Sequence, residues 1–206
     1  MKFRLRGKKR RAAIAALAGR LQMTYSPKDS YGLLSQLKSF RIFRIGHSKR
    51  VSNLLQKSDV QTDSNTSLFD YRYVVQAGNT PVTVSFNAYF YNSKEMGLPE
   101  FSISPKHFGH RIIEFFKGQD PNASTIDLNF SKTHVLKNDD SWSRDDLLSD
   151  ELVALLQKHD KLRIEAMNYY LAIYKPKHLI RVEELEDFLA ACESIKEVLR
   201  VQHRID

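Results

Sequence analysis

Two runs of alternating hydrophobic and polar positions dominate the middle of the chain. From Ser67 to Gln76, the residues Phe69, Tyr71, Tyr73 and Val75 recur at every second position, with Asp70, Arg72 and Gln76 on the other side. From Pro81 to Tyr91, Val82, Val84, Phe86, Ala88 and Phe90 do the same, opposite Thr83, Ser85, Asn87 and Tyr89. A period of two is that of a strand with one buried face. Between the runs, Ala77-Gly78-Asn79-Thr80 supplies the residues of a tight reversal, so the stretch predicts an antiparallel hairpin. A lone hairpin is not stable in water, so this one requires further strands and a covering layer of helices.

The flanking patterns provide both. Lys8 to Gln22 is rich in strong helix formers, with Ile14, Leu17, Ala18 and Leu21 in a narrow apolar stripe at helical spacing. Pro27 opens a turn or a short helix carrying Leu33, Leu34 and Leu37. Phe40 to Ile45 and Val51 to Gln56 read as short strands, and the polar run Asp59 to Thr66 as an exposed loop. Leu98 to Pro105 predicts a strand with Phe101 and Ile103 inward, Lys106 to Lys117 a helix stopped by Gly118, and Thr133 to Leu136 a further strand. A helix capped by Ser141 or Ser143 carries Leu147, Leu148, Leu152, Leu155 and Leu156, with a bend near Ser149. Arg163 to Ala166 and Tyr169 to Tyr174 predict a closing hairpin turned at Met167-Asn168, and Val182 to Val201 a long amphipathic helix. The sum is an α+β fold, a largely antiparallel sheet with helices packed on one face. Residues 1–23 form a basic tail and helix, and 24–206 a single globular domain.

At 206 residues, 42% hydrophobic and 27% charged, the chain has the composition of an ordinary globular protein of one domain. Its single cysteine, Cys192, excludes an intrachain disulfide and a finger-type zinc site, and fits a reducing, cytoplasmic compartment. No hydrophobic run reaches the length of a membrane span. Ala12 to Ala18 imitates the core of a signal peptide, but it is short, mostly alanine and followed at once by Arg20, so a helix is the better reading.

Charge changes the picture more than composition does. The net charge of +8 is unevenly placed: up to Ser58 there are fifteen Lys or Arg against the single Asp29, so everything from Asp59 onward is net acidic. Lys2, Arg4, Arg6, Lys8, Lys9, Arg10 and Arg11 form a cluster beside the weakly apolar helix. Each such residue near an anionic membrane contributes on the order of 1 kcal/mol, enough in sum for reversible attachment to the inner face of a membrane, aided by Ile14, Leu17 and Leu21. The same cluster suits phosphates of a nucleic acid or an acidic protein partner.

Catalytic motifs are missing. There is no Gly-x-Ser-x-Gly elbow, no phosphate-cradling glycine loop and no Cys–His pairing, and Cys192 falls on an apolar stripe. His107, His110 and Glu114 share a helix face but lack the spacing of a zincin, and Asp120, Asp127, Asp139 and Asp140 lack that of a calcium loop. Tyr71, Tyr73, Phe86, Tyr89 and Tyr91 without the accompanying glycine and basic signature read as core, not as a base-stacking platform. No metal, cofactor or catalytic residue is expected. Asp70 and Arg72, two apart on one strand, form a charged cluster that is either an ion pair under a helix or the kernel of a ligand-binding or hydrolase-like site.

Several stretches together resemble a bacterial family with no assigned activity: Arg20 to Ser26 at the end of the basic helix, Phe69-Asp70-Tyr71-Arg72-Tyr73, Leu98-Pro99-Glu100-Phe101 with Pro105, Phe130-Ser131, Ile164-Glu165 and the C-terminal helix. Many members carry a hydrophobic membrane segment just ahead of the basic helix, whereas this sequence opens on the helix itself. The resemblance implies no catalytic role and a position beside a membrane. Together these observations predict a non-enzymatic binding or scaffold protein attached through its basic N-terminal segment, with an RNA-associated factor as the alternative.

Overall fold

In the computed structural model, residues 2–30, 32–106, 125–126, 133–138, 147–176 and 178–203 are described, with backbone alone at 2–6 and 125–126. The elements in order are α1 (Lys2–Arg20), β1 (Thr24–Lys28), α2 (Leu33–Gln36), a 3-10 turn at Leu37–Ser39 and α3 (Arg41–Arg44). The strands β2 (His47–Asp59), β3 (Ser64–Ala77), β4 (Thr80–Ser93) and β5 (Leu98–Pro105) follow. Next come β6 (Thr125–Ile126), β7 (His134–Asn138), α4 (Asp150–Lys158), β8 (Arg163–Asn168), β9 (Tyr170–Lys175) and, after a 3-10 turn, α5 (Leu185–Gln202). Among the described residues, nine strands form one antiparallel sheet in the order β1-β2-β3-β4-β9-β8-β5-β7-β6.

The predicted hairpin is its centre. β3 and β4 pair without a break from Ser64↔Ser93 to Ala77↔Thr80, so Phe69 faces Ala88, Tyr71 faces Phe86 and Tyr73 faces Val84 on one side. The reversal is Gly78-Asn79, with Gly78 at φ 61, a conformation that glycine adopts at no steric cost.

Both faces of this hairpin are covered. On one, α1, α4 and α5 bury Ile14, Leu17, Leu152, Leu156, Phe188 and Ile195 against sheet residues such as Leu55, Leu68, Tyr89 and Tyr91. This is the helical layer that the amphipathic stripes predict. On the other, the short segment Leu33–Phe43 packs onto Phe69, Tyr71, Phe86 and Phe90. That segment corrects one expectation. Phe40–Ile45 is not a strand but a helical turn, since helical spacing puts Phe40 and Phe43 together onto the aromatic face and leaves Arg41 and Arg44 outside.

Other elements depart from the sequence pattern by a few residues. Of the expected loop Asp59–Thr66, the ends belong to β2 and β3, which pair at Asp59↔Ser64, and residues 60–63 form the turn between them. The helix carrying Leu152 and Leu156 is capped by Ser149, whose Oγ accepts from the Leu152 amide at 3.3 Å. The closing hairpin turns at Asn168-Tyr169, one residue later than expected. Strand β5 has the predicted bounds. The helix expected over Lys106–Lys117 and the caps Ser141 and Ser143 lie outside the described residues, except Lys106.

Candidate functional site

α1 is a 19-residue helix and so spans about 28 Å. It ends in a Schellman turn: the Met23 amide donates to the Ala18 carbonyl at 2.9 Å and that of Gln22 to Gly19 at 3.3 Å, with Gln22 at φ 54. The turn directs the chain into β1 at the sheet edge. It also fixes which face of α1 meets the core. Ile14, Leu17 and Ala18 are buried, while Lys8, Lys9 and Arg11 are exposed. The apolar stripe expected to assist at a membrane is thereby consumed inside the protein.

Arg10 was grouped with its neighbours by sequence, yet it points inward. Its Nε and Nη2 each donate to Asp70, at 2.8 Å to Oδ2 and 2.8 Å to Oδ1, and its Nη1 donates to the Ile180 carbonyl at 2.7 Å. Asp70 also accepts from Asn53 Nδ2 at 2.8 Å and from Asn87 Nδ2 at 2.6 Å. The carboxylate thus receives four hydrogen bonds, two in the bidentate geometry that suits a guanidinium. Asn87 in turn accepts from the Ile180 amide at 2.7 Å, and Tyr25 donates its hydroxyl to Asn53 Oδ1 at 3.0 Å. Burial raises the Tyr25 phenol above its ordinary value, against the opposing pull of Arg11. The network binds α1, β1, β2, β3, β4 and the approach to α5 at one point.

Its construction depends on a bulge. β2 pairs Ser52 with Asp70 and Leu55 with Leu68, so Asn53 and Leu54 together oppose the single residue Phe69. Asn53 takes φ 49, a left-handed conformation that asparagine tolerates better than most residues. The extra residue lets the Asn53 carboxamide meet Asp70 while Leu54 enters the aromatic core.

Asp70 and Arg72 share a face of β3 as their spacing predicts, but they do not act together. Asp70 is committed to Arg10, and exposed Arg72 has no ion pair with another described residue. A carboxylate saturated by four donors has no free acceptor for a substrate proton, which removes the hydrolase-like reading of this pair. Tyr71, Tyr73, Phe86, Tyr89 and Tyr91 are buried, as core packing requires. Cys192 is fully buried, and burial raises its thiol well above the ordinary value. His107, His110, Glu114, Asp120, Asp127, Asp139 and Asp140 lie outside the described residues, as do the side chains of Lys2, Arg4 and Arg6. Among the described residues no group of three His, Cys, Asp or Glu is placed to hold a metal ion. Among them, too, no helix is long and apolar enough to cross a membrane.

A second polar anchor lies on the opposite face and was invisible in the sequence beyond the Ile164-Glu165 pair. Glu165 accepts the Arg41 amide at 2.7 Å and the Ile42 amide at 3.4 Å, capping α3, and accepts the Tyr174 hydroxyl at 2.6 Å. Burial raises its carboxyl above the ordinary value, partly offset by these hydrogen bonds. The native state therefore holds this proton more tightly than the unfolded chain. The contribution favours folding at low pH and is lost as pH rises from the ordinary carboxyl range through the raised native value. The stability advantage of the wild-type chain over Glu165→Gln is expected to be larger near pH about 4 than near pH about 7. Urea denaturation of both chains at the two pH values measures it; an advantage that stays constant or grows with pH refutes the assignment.

No protein-family model and no curated protein sequence matches the chain. Its fold is similar to the crystal structure of the mycobacterial trehalose monomycolate transport factor A, TtfA. The two superpose with a TM-score of 0.66 over 95% of this chain and 97% of that one, at 8% sequence identity. The likeness establishes the α+β fold and does not extend to residues or chemistry.

Proposed function

We propose that this protein is a non-catalytic binding module held against an anionic membrane surface by the outward face of α1. The observation that carries the reading is the division of labour on that helix. Arg10, Ile14, Leu17 and Ala18 tie it to the globule, while Lys8, Lys9 and Arg11 stay exposed. The positive charge of Lys8, Lys9 and Arg11 is therefore carried on a helix docked to the globule. Lys2, Arg4 and Arg6 continue the same helix. A role as an accessory to transport, of the kind named for TtfA, is compatible with such a module and with the absence of catalytic motifs.

Charge reversal at Lys8, Lys9 and Arg11 together tests the reading without touching the Arg10 anchor. At about 1 kcal/mol per basic residue, binding to vesicles containing phosphatidylglycerol should weaken by about a hundredfold or more. Wild-type binding should also fall as salt is raised. The thermal midpoint should stay near that of the wild type, because exposed substitutions change stability by about 0.5 kcal/mol or less. Sedimentation with phosphatidylglycerol vesicles and with phosphatidylcholine vesicles reads the outcome. Equal binding of the reversed and wild-type chains overturns the proposal. So does capture by RNA or an acidic protein without vesicle binding.

A further inference from the structure

The face of the sheet that carries the aromatic core changes chemistry toward one end of its strands. Continuing two residues at a time from Leu54, Phe69 and Phe90, the same face presents Gln56 and Ser58, Ser67 and Asn65, and Asn92. Cross-strand pairing aligns these in two rows, Thr24, Gln56, Ser67 and Phe90 in the first and Ser58, Asn65 and Asn92 in the second. The covering segment Leu33–Phe43 packs on the aromatic part, and Gln36 of α2 and Gln22 at the end of α1 form the rim beyond it. The result is a groove of about 580 Å³, within the range of about 300–1,000 Å³ usual for small-molecule sites.

Its lining is unusual for such a site. Among the described residues, five carboxamides, Gln22, Gln36, Gln56, Asn65 and Asn92, line it with three hydroxyls, one cation, Lys57, and no carboxylate. Gln56 donates to Ser67 Oγ at 3.3 Å and Asn65 accepts from Ser58 at 2.5 Å, whereas the carboxamides of Gln22, Gln36 and Asn92 hold no hydrogen bond to another described residue. Leu33 and Phe90, both almost fully buried, form the floor beneath these polar groups.

This chemistry narrows the ligand. An anion would find one counter-charge and a cation none. An apolar ligand would strip water from carboxamides and leave them unpaired, which costs free energy for every group so buried. A carboxamide offers an acceptor and two donors side by side, which complements a hydroxyl that both donates and accepts. We infer that the groove binds a neutral saccharide, either free or as the headgroup of a glycolipid. Apart from Gln22 at its rim, the site lies on the face of the sheet opposite the one covered by α1, and it contains none of the residues of the proposed attachment.

The test uses the full chain labelled with ¹⁵N and titrated with maltose, cellobiose, sucrose and trehalose, and with vesicles of digalactosyldiacylglycerol in phosphatidylcholine. Saccharide binding should shift the side-chain amide resonances of Gln22, Gln36 and Asn92 before those of asparagines elsewhere. Gln36→Ala and Asn92→Ala should each weaken binding at least tenfold with an unchanged thermal midpoint; Gln36 is exposed on α2, so that variant folds even if the other does not. A response to the free sugars identifies a soluble ligand, and a response to the glycolipid vesicles alone identifies a headgroup; either supports the inference. No response to any of these probes overturns it, as does an equal response to the neutral peptide acetyl-Ala-Ala-Ala-amide or shifts confined to residues outside the groove.

Discussion

Asp70→Ala is expected to lower the unfolding free energy by about 3–5 kcal/mol, the range for removing one partner of a buried ion pair. The side chain of Asp70 is 9% exposed and that of Arg10 17%, so neither charge can recover its full hydration when the other is lost. The loss exceeds that of one contact because Asp70 is the acceptor for Asn53 and Asn87 as well. Arg10→Met should cost a similar amount, and the double variant markedly less than the two losses added. Lys9→Met, one residue away but exposed, should change stability by about 0.5 kcal/mol or less. Urea unfolding followed by circular dichroism gives all four values. A loss below about 1 kcal/mol at Asp70 would mean that the pair behaves as an exposed one, and the account of α1 as a docked element would fail.

Phe43→Ala should cost about 3–5 kcal/mol, as truncation of a buried aromatic does when its surroundings cannot collapse. The Phe43 ring is 1% exposed and contacts Phe40, Phe69, Tyr71, Phe86 and Tyr174, with centroids between 4.7 and 6.4 Å. The Tyr71 ring meets it edge-on at 89°. Four of these five neighbours, Phe69, Tyr71, Phe86 and Tyr174, come from three strands of a continuous sheet and cannot move together to fill the void. Ile45→Ala, at a half-buried position, should cost much less. The comparison also separates helix from strand for this segment. A strand would put Phe43 and Ile45 on one face and equalise the two losses, whereas the helical turn concentrates the loss at Phe43.

Such tests matter because local pattern and long-range pairing carry different information here. The alternation in β3 and β4 was legible since each residue's burial is set by a period of two, and β5 and α5 were legible for the same kind of reason. Phe40–Ile45 was not, because six residues fit two periods and only the aromatic floor beneath them chooses between them. The basic face of α1 was legible as charge, but nothing in the run Lys8-Lys9-Arg10-Arg11 marks Arg10 as different from Lys9 and Arg11. Its partner stands 60 residues away. The Asn53 bulge, which completes the anchor, has no signature in Val51–Gln56, since its cause is the register of the neighbouring strand.

Hydrophobic periodicity and residue type thus sufficed for the fold class, the central hairpin, the helical layer and the concentration of positive charge near the start of the chain. The pairing of Arg10 with Asp70, the capping of α3 by Glu165 and the gathering of five carboxamides into one groove arose only in three dimensions. The reason is physical. Burial is a property of each position and repeats along the chain, whereas a hydrogen-bonded site is a property of which strands lie side by side and in what register.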